Sequence, residues 1–367
     1  MNLKNIYALL LLIGCLCLAT ACSEDDEGTV MTLKVVKSDV KFGAAASTGT
    51  IEVSGTGTIT AVASEDWCTV SVNGNVITVN VTVLDTRESR SALVTIADAS
   101  GQVEVPVYQS GIVWTLKGKD FYVVSNKATT VTIPAKIECD YTATPSAPWI
   151  TGELTKDGYV VSLAENTGAA RGGTITFKSV LGEKVYTFVQ AVAADFVGTY
   201  TALYQTYYDS DNDGENDKLG WFQQKNIKLT ASAGEEGAFY IEDLSSEEGL
   251  KLPLTFDKES YSFIIPNATY LTEVELRNGS TCYLYALTLA TDGAKFYMNY
   301  STTYQIVFAP GWDVKNGKLS LSIADTGAWS GYQQIGFNIQ AFSSRTVNST
   351  SNLGYWDSYY YYSMTKN

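Results

Sequence analysis

The residues with the clearest chemical potential are five acidic side chains that alternate along one short segment. The segment runs from Asp209 to Asp217, reads DSDNDGEND and lies between two predicted strands. Carboxylates at its first, third and fifth positions, with glycine at the sixth, are typical of a loop whose oxygen atoms converge on one calcium ion. The predicted Ca²⁺ ligands are Asp209, Asp211, Asp213, Glu215 (through its backbone carbonyl) and Asp217.

This acidic loop departs from a complete helical calcium loop in two ways. Gly220 stands at the twelfth position, where a bidentate Glu is usual, and the flanking segments are predicted strands. The pattern therefore resembles the DxDxDG loops of extracellular modules, and we expect weak affinity. The alternative is a solvated acidic turn, but five acids within nine residues would repel one another without a cation.

Aromatic side chains on turns form the second group of candidates. The chain has 24 Tyr and 7 Trp, and many of them follow Gly, Asp or Asn near its end. An exposed ring can stack on the C–H face of a sugar while neighbouring amides and carboxylates bond its hydroxyls. The alternative is that the Tyr run at 355–362 is a final strand with alternate rings inside. The candidate ligand-binding residues are Trp221, Trp312, Trp329, Tyr332, Tyr355, Trp356 and Tyr359.

Composition excludes several classes of chemistry. The chain contains no His, which removes His-based acid–base catalysis, Ser-His-Asp triads and His-ligated metals. A formal charge of −14 disfavours nucleic acid as a partner. A glycosidase would need two carboxylates across a bond, and no recognised signature surrounds the possible pairs. Those carboxylates are Glu242, Asp243, Asp313 and Asp325.

The first 30 residues indicate export and anchoring. Residues 1–21 combine Lys4 with an apolar stretch from Ile6 to Leu18, as in a signal peptide. Small residues before Cys22 resemble a bacterial lipobox, so we predict that Cys22 is acylated and that residues 22–30 are a lipidated acidic linker. The acidic run 23–27 resembles the signal that sends Bacteroidetes lipoproteins to the outer face of the outer membrane. An ordinary cleavage site with an incidental Cys is the alternative.

An internal repeat follows the linker. A Trp is followed 22–23 residues later by an Arg that opens a predicted strand, and 41–42 residues later by a Gln that ends another. The markers are Trp67, Arg90 and Gln109 in the first copy and Trp149, Arg171 and Gln190 in the second. Alternating apolar and polar residues between the markers, as in 77–83, predict half-buried antiparallel strands. About 80 residues of such strands indicate an immunoglobulin-like sandwich.

Both copies resemble the BACON domain of Bacteroidetes (Bacteroidetes-associated carbohydrate-binding, often N-terminal). The Trp, the Arg strand and the terminal Gln carry the resemblance, which covers residues 31–111 and 112–193, about half of the chain. It implies tandem sandwiches in a surface lipoprotein that act either in carbohydrate binding or as spacers. From the residues themselves, we expect each Trp to be a core plug rather than a sugar platform, and each Arg to bond loop carbonyls.

Residues 194–367 begin a different pattern, and no amphipathic helix is evident. Eight to ten strands joined by short turns predict an antiparallel domain, either a lipocalin-like barrel or a jelly-roll sandwich, with a mouth that can hold a ligand. The predicted strands are 200–208, 222–230, 238–244, 250–256, 261–265, 281–290, 295–300, 304–309, 318–324 and 334–342.

These observations predict an all-β, outer-membrane, lipid-anchored protein that faces the cell exterior. The predicted function is non-catalytic binding of a polysaccharide or oligosaccharide by the C-terminal domain, with the two modules as spacers. Its partners would include an uptake system of the SusC/SusD type. Two alternatives remain: a protein-binding adhesin or scaffold that uses the exposed rings as a hot-spot patch, and a carboxylate-based glycoside hydrolase.

Overall fold

The computed structural model describes residues 31–209, 211 and 217–367, and nearly all of its regular structure is β-strand. The only described helix is a single 3₁₀ turn at Ala193–Phe196. Within this part of the chain, no helix has the length and apolar character needed to cross a bilayer. The chain divides into two compact units, one ending at Ile112 and the other beginning at Val113.

The first unit, module 1, is a sandwich of two four-stranded sheets ordered β1-β3-β6-β5 and β2-β8-β7-β4. Alternation places Ile77, Val79 and Val81 of β6 in the core, opposite Val94 and Ile96 of β7. The strands are β1 (Lys34–Asp39), β2 (Lys41–Phe42), β3 (Ser47–Ser54), β4 (Thr60–Ala63), β5 (Cys68–Asn73), β6 (Val76–Val81), β7 (Arg90–Asp98) and β8 (Gly101–Gln109).

The second unit opens with module 2, an immunoglobulin-like sandwich that repeats the design. Its sheets are β10-β17-β16-β13, β11-β15-β14 and the pair β12-β9. Tyr159, Phe177 and Tyr186 pack edge to face in its core. The strands are β9 (Val113–Leu116), β10 (Phe121–Val124), β11 (Thr129–Ile133), β12 (Ala135–Glu138), β13 (Thr142–Pro145), β14 (Ile150–Thr155), β15 (Gly158–Leu163), β16 (Arg171–Ser179) and β17 (Gly182–Gln190).

The three repeat markers of each module form one network. In module 1 the Arg90 guanidinium lies 4.2 Å from the Trp67 ring centroid, and its Nε donates to Gln109 Oε1 at 2.9 Å. Arg90 Nη2 also donates to the carbonyls of Thr82 and Val83. The prediction that this Arg bonds loop carbonyls is therefore confirmed. The Trp67 ring is half-buried beneath the guanidinium and packs against the core of module 1, which agrees with the expectation of a core plug rather than a sugar platform.

Module 2 repeats this geometry. Arg171 lies 4.4 Å from the Trp149 ring centroid and donates to Gln190 Oε1 at 2.8 Å. Its Nη2 donates to the carbonyls of Ala164 and Glu165. In each module the guanidinium covers one face of the Trp ring and donates to a fully buried Gln amide. It therefore links the loop, the strand that ends in Gln and the Trp ring. The repeated spacing therefore reflects a structural device in both sandwiches.

The C-terminal domain is a closed antiparallel barrel. Eight strands follow one another around the ring in the order β18-β19-β20-β21-β22-β26-β27-β29, and β29 closes it by pairing with β18. The strands are β18 (Gly198–Tyr208), β19 (Lys218–Ala231), β20 (Ala238–Glu242), β21 (Lys251–Asp257), β22 (Ser262–Pro266), β23 (Thr269–Glu275), β24 (Thr281–Thr291), β25 (Phe296–Met298), β26 (Gln305–Asp313), β27 (Lys318–Ile323), β28 (Gln333–Phe342) and β29 (Asn352–Lys366).

Side chains fill the barrel, as expected for eight strands. Phe263, Phe308, Phe337 and Tyr362 are fully buried in one core cluster. The closed ring of antiparallel strands confirms a barrel and not a jelly roll. The same core cluster includes Val189 of β17 and Ala191 just after it, so module 2 and the barrel share a core within the second unit.

The three described cysteines, Cys68, Cys139 and Cys282, are free thiols. Cys68 and Cys282 are buried and Cys139 is half-buried. Burial is the main cause that raises the pKa of the Cys68 and Cys282 thiols.

Candidate functional site

A cleft opens where β29 leaves the barrel ring. Strands β18 and β29 pair from Tyr200–Lys366 as far as Gln205–Tyr360. Beyond that point β18 and β29 no longer pair, although both strands continue, so the two strands bound a fork. On its other edge β29 pairs with β28 from Gly336–Tyr360 to Phe342–Asn352 and with β27 nearer its end.

We call this opening the fork cleft, and its volume is about 380 Å³. That size lies within the range of small-molecule sites. Its third wall is the connection from β20 to β21, residues 243–250, which we call the ridge loop. The lining residues are Tyr204, Thr206, Tyr207, Gln224, Leu244, Ser245, Ser246, Tyr355, Trp356, Asp357, Ser358 and Tyr359.

Asp357 anchors the ridge loop to the cleft floor. Its Oδ2 accepts a hydrogen bond from Ser245 Oγ at 2.6 Å and another from Ser246 N at 3.1 Å. Tyr359 OH donates to the Leu244 carbonyl at 3.1 Å. Burial, followed by the charge of Asp357, raises the pKa of Tyr359 well above its ordinary value. This tyrosine therefore stays a neutral donor that holds the loop in place.

A second set of bonds comes from β18 and β19. Tyr204 OH donates to Gln224 Oε1 at 3.1 Å, and Gln224 Nε2 donates to the carbonyls of Asp243 and Leu244. Burial is the main cause that raises the pKa of Tyr204, and the Asp357 charge adds to it. Since these polar groups are already oriented by one another, a ligand would meet a preformed site.

The composition of the cleft suits a neutral polyhydroxyl ligand. It offers apolar ring surface from Tyr355 and Trp356, with a carboxylate, an amide and several hydroxyls beside them. Tyr355 is 45% exposed, so its ring is accessible. Rings supply apolar contact area at small entropic cost, and the fixed polar groups supply orientation.

Three of the seven predicted ligand residues meet in this cleft. Tyr355 and Trp356 line it with partly exposed rings. Tyr359 also lines it but is 2% exposed, with its ring stacked on Phe337 in the core. Tyr359 therefore supports the ridge loop through its hydrogen bond to the Leu244 carbonyl.

The other four predicted residues lie elsewhere. Trp221 is 57% exposed, beside Tyr361 at 6.4 Å between ring centroids. Trp221 does not line the fork cleft; the residue of β19 that does so is Gln224. Trp221 and Tyr361 thus form a separate aromatic pair on the barrel.

Trp312 packs between the barrel and module 2, within the second unit. Its ring contacts the barrel core, and a Cβ placed on Gly172 of β16 would collide with the indole. The absent side chain at Gly172 lets the ring lie against the backbone. For Trp312 the geometry therefore favours a packing role over ligand contact.

Trp329 and Tyr332 belong to another aromatic group. The two rings are 4.9 Å apart; Trp329 also contacts Tyr304, and Tyr332 contacts Tyr297. All four rings are half-buried against one another. They hold the turn before β28 against the segments near β25 and β26.

The predicted calcium ligands are only partly described. Asp209, Asp211 and Asp217 lie at the ends of β18 and β19, and Asp211 N donates to Asp209 Oδ1 at 3.3 Å. Asp213 and Glu215, like Cys22, lie outside the described residues. Within the described ranges, no group of three or more His, Cys, Asp or Glu side chains is placed to hold a metal ion.

Sequence reasoning missed the polar half of the cleft. Tyr204, Gln224 and the pair Ser245–Ser246 stand in three separate segments, and no short motif joins them. Asp357 had one local signal, since it interrupts a run of aromatic residues in the pattern YWDSYYYY. An acid within an otherwise aromatic strand costs free energy unless it has a partner, so it marks a polar contact.

Comparisons with known proteins place few constraints on this chain. No model of a known protein family matches it, and no curated protein matches it. Among solved structures, a Bacteroides ovatus GH5 xyloglucanase in complex with a XXXG heptasaccharide is 24% identical over 26% of this chain, with a TM-score of 0.21. The match spans 22% of that enzyme.

Tandem immunoglobulin domains of titin are similar at lower identity. An E-to-A variant of titin domains I67–I69 is 10% identical over 57% of this chain and 92% of its own, with a TM-score of 0.27. The I9–I11 tandem is 8% identical over 60% of this chain and 97% of its own, with a TM-score of 0.30.

Proposed function

We propose that this chain is a cell-surface lipoprotein that binds a neutral glycan without cleaving it, in the fork cleft of its barrel. The observation that carries the proposal is the preformed cleft itself, in which the rings of Tyr355 and Trp356 stand beside the anchored carboxylate of Asp357. The two BACON-like modules would then act as spacers, because their repeated Trp and Arg residues are engaged with each other.

The positions of the carboxylates support binding of a glycan without its hydrolysis. Among the described residues, Asp357 is the one carboxylate that lines the fork cleft, whereas a glycosidase needs a pair. Glu242 and Asp313, which the sequence offered as alternatives, are held by hydrogen bonds to Lys251 and Asn316 that lower the pKa of each. A general acid needs the opposite shift, because it must keep its proton near neutral pH.

Anchoring through acylated Cys22 at the outer membrane is part of the same proposal, as is delivery of the sugar to a SusC/SusD-type uptake system. An exterior location would bring polysaccharide within reach of the barrel. The net charge of −14 favours neutral ligands over polyanions.

The test is affinity electrophoresis of the full chain, without its lipid, through gels that contain xylan, mannan, β-glucan or xyloglucan. We expect slowed migration in at least one gel, no release of reducing sugar, and at least tenfold weaker binding for Tyr355→Ala. Tyr108→Ala is the matched control, since Tyr108 in module 1 is 44% exposed against 45% for Tyr355. Reducing-sugar release would favour a hydrolase, and unchanged migration in every gel would favour a protein-binding adhesin.

A further inference from the structure

A second cleft lies on the other side of the ridge loop. Its volume is about 350 Å³, and it is bounded by the loop residues 247–250 and by β20, β21 and β23. We call it the Tyr270 cleft, after its most exposed ring. Its lining includes Glu247, Glu248, Leu250, Lys251, Tyr270 and Thr272.

The ridge loop is a thin and fixed partition. Leu244 and Leu250 at its two ends are buried in the barrel core, which pins both ends. Ser246 lines the fork cleft and Glu247 lines the Tyr270 cleft. Consecutive Cα atoms are about 3.8 Å apart, so a single turn of backbone separates the two clefts.

The Tyr270 cleft has the same kind of lining as the fork cleft. Tyr270 is 40% exposed, with Tyr285 packed against its edge and the Arg345 guanidinium 5.4 Å from its centroid. These contacts hold the ring in one orientation. Lys251 is paired with Glu242 at 2.9 Å, and the remaining lining charges are the acids Glu247 and Glu248. Among the described residues that line it, this cleft therefore has no unpaired cation to attract an anionic ligand.

We propose that the Tyr270 cleft is a second subsite for the same glycan chain, which crosses the ridge loop at Ser246–Glu247. This inference rests on the proposed function of the fork cleft. Two ring-lined depressions that share one wall suit a ligand that repeats the same chemical unit along its length. Contacts in both depressions belong to one molecule, so the second set adds affinity without a second loss of translational freedom.

The test is titration calorimetry of the full chain with cello-, manno- and xylo-oligosaccharides, each from the disaccharide to the hexasaccharide. We expect the hexasaccharide of the matching series to bind at least tenfold more tightly than its disaccharide. Tyr270→Ala should abolish that gain and leave disaccharide affinity unchanged, because the shorter ligand reaches only the fork cleft. Tyr355→Ala should weaken every length.

Two further variants keep the result interpretable. Thr272→Trp fills the Tyr270 cleft without removing its ring, and it should also abolish the length gain. Tyr108→Ala should change nothing. If Tyr355→Ala weakens binding but neither Tyr270→Ala nor Thr272→Trp affects any length, the second subsite is refuted while the fork cleft stands. If the wild-type chain binds no probe, both proposals are overturned.

Discussion

Replacing Gln109 by Leu should destabilise module 1 far more than the loss of one polar side chain normally would. Gln109 is fully buried at the end of β8, and its Oε1 accepts from Arg90 Nε at 2.9 Å. Its Nε2 donates to the carbonyls of Thr82 and Ala44 at 3.0 and 3.2 Å. A longer contact of Nε2, at 3.4 Å, reaches the Ala45 carbonyl. Leu keeps the volume but removes all four bonds.

The magnitude follows from which partners are left without a bond. The Thr82 carbonyl still accepts from Arg90 Nη2, and the Ala44 carbonyl still accepts from Leu84 N at 2.8 Å. The Ala45 carbonyl still accepts from Ser47 Oγ. The principal loss is the bond to the charged Arg90 Nε, worth about 1.5–3 kcal/mol, with a smaller amount from the three neutral bonds. We expect a total of about 2–4 kcal/mol, or a fall in the module's melting temperature of roughly 10 °C or more.

The loss of stability can be measured in the full chain by hydrogen exchange and mass spectrometry in a urea series, from the exchange of peptides that cover β7 and β8. Resolution by peptide is needed because a chain of several domains does not unfold in one step. Gln102→Leu is the matched control, since Gln102 is exposed on the same strand. Gln190→Leu should reproduce the effect in module 2. If Gln109→Leu costs no more than Gln102→Leu, the structural role assigned to the Trp-Arg-Gln network is refuted.

Three other predictions follow from the sequence and the core. If Cys22 is acylated, Cys22→Ala should move the protein from the membrane to the soluble fraction, and unchanged fractionation would contradict the anchor. If the loop 209–217 binds calcium, saturation at a hundred times Kd should add about 2.7 kcal/mol to the free energy of unfolding, and Asp211→Ala but not Asp157→Ala should remove that gain. Burial raises the pKa of Tyr360 to about 12 and that of Tyr359 well above normal. Since unfolded tyrosines ionise near pH 10, the barrel should lose stability as the pH rises above 10, with tyrosinate absorbance appearing together with unfolding; early, gradual ionisation would contradict this.

Much of the fold could be predicted because its signals are local. Alternation in residues 77–83 identifies β6, and the ten strands predicted in the C-terminal domain all appear with bounds shifted by a few residues. The repeat also located Arg90 and Gln109, which are directly paired across β7 and β8. The spacing between Arg90 and Gln109 is set by the length of one hairpin, so it is visible in the sequence.

The missed elements lacked that local signal. β23 carries Tyr270, Leu271 and Val274 among Thr and Glu residues, without clean alternation, because a register shift interrupts its pairing with β24. Its exposed and half-buried positions place little apolar surface in the core. Strands of this kind are specified mainly by their neighbours, which a single sequence does not display.

The same limit explains why the predicted rings are scattered over the molecule. Glycine-rich turns predict rings near the surface, but they do not distinguish accessible rings from those packed against another surface. Trp312 and Tyr355 have similar local sequences, yet one meets the bare backbone of Gly172 while the other is 45% exposed. That difference depends on β29, which pairs along one edge first with β28 and then with β27, and which pairs with β18 along the other edge only from Tyr360 onward. The aromatic run 355–362 lies across this exchange of partners: Tyr355 and Trp356 line the cleft, Tyr359, Tyr360 and Tyr362 are buried, and Tyr361 is 43% exposed. A strand that changes partners follows no single alternating pattern, and for that reason only the folded chain separates the binding surface from the core.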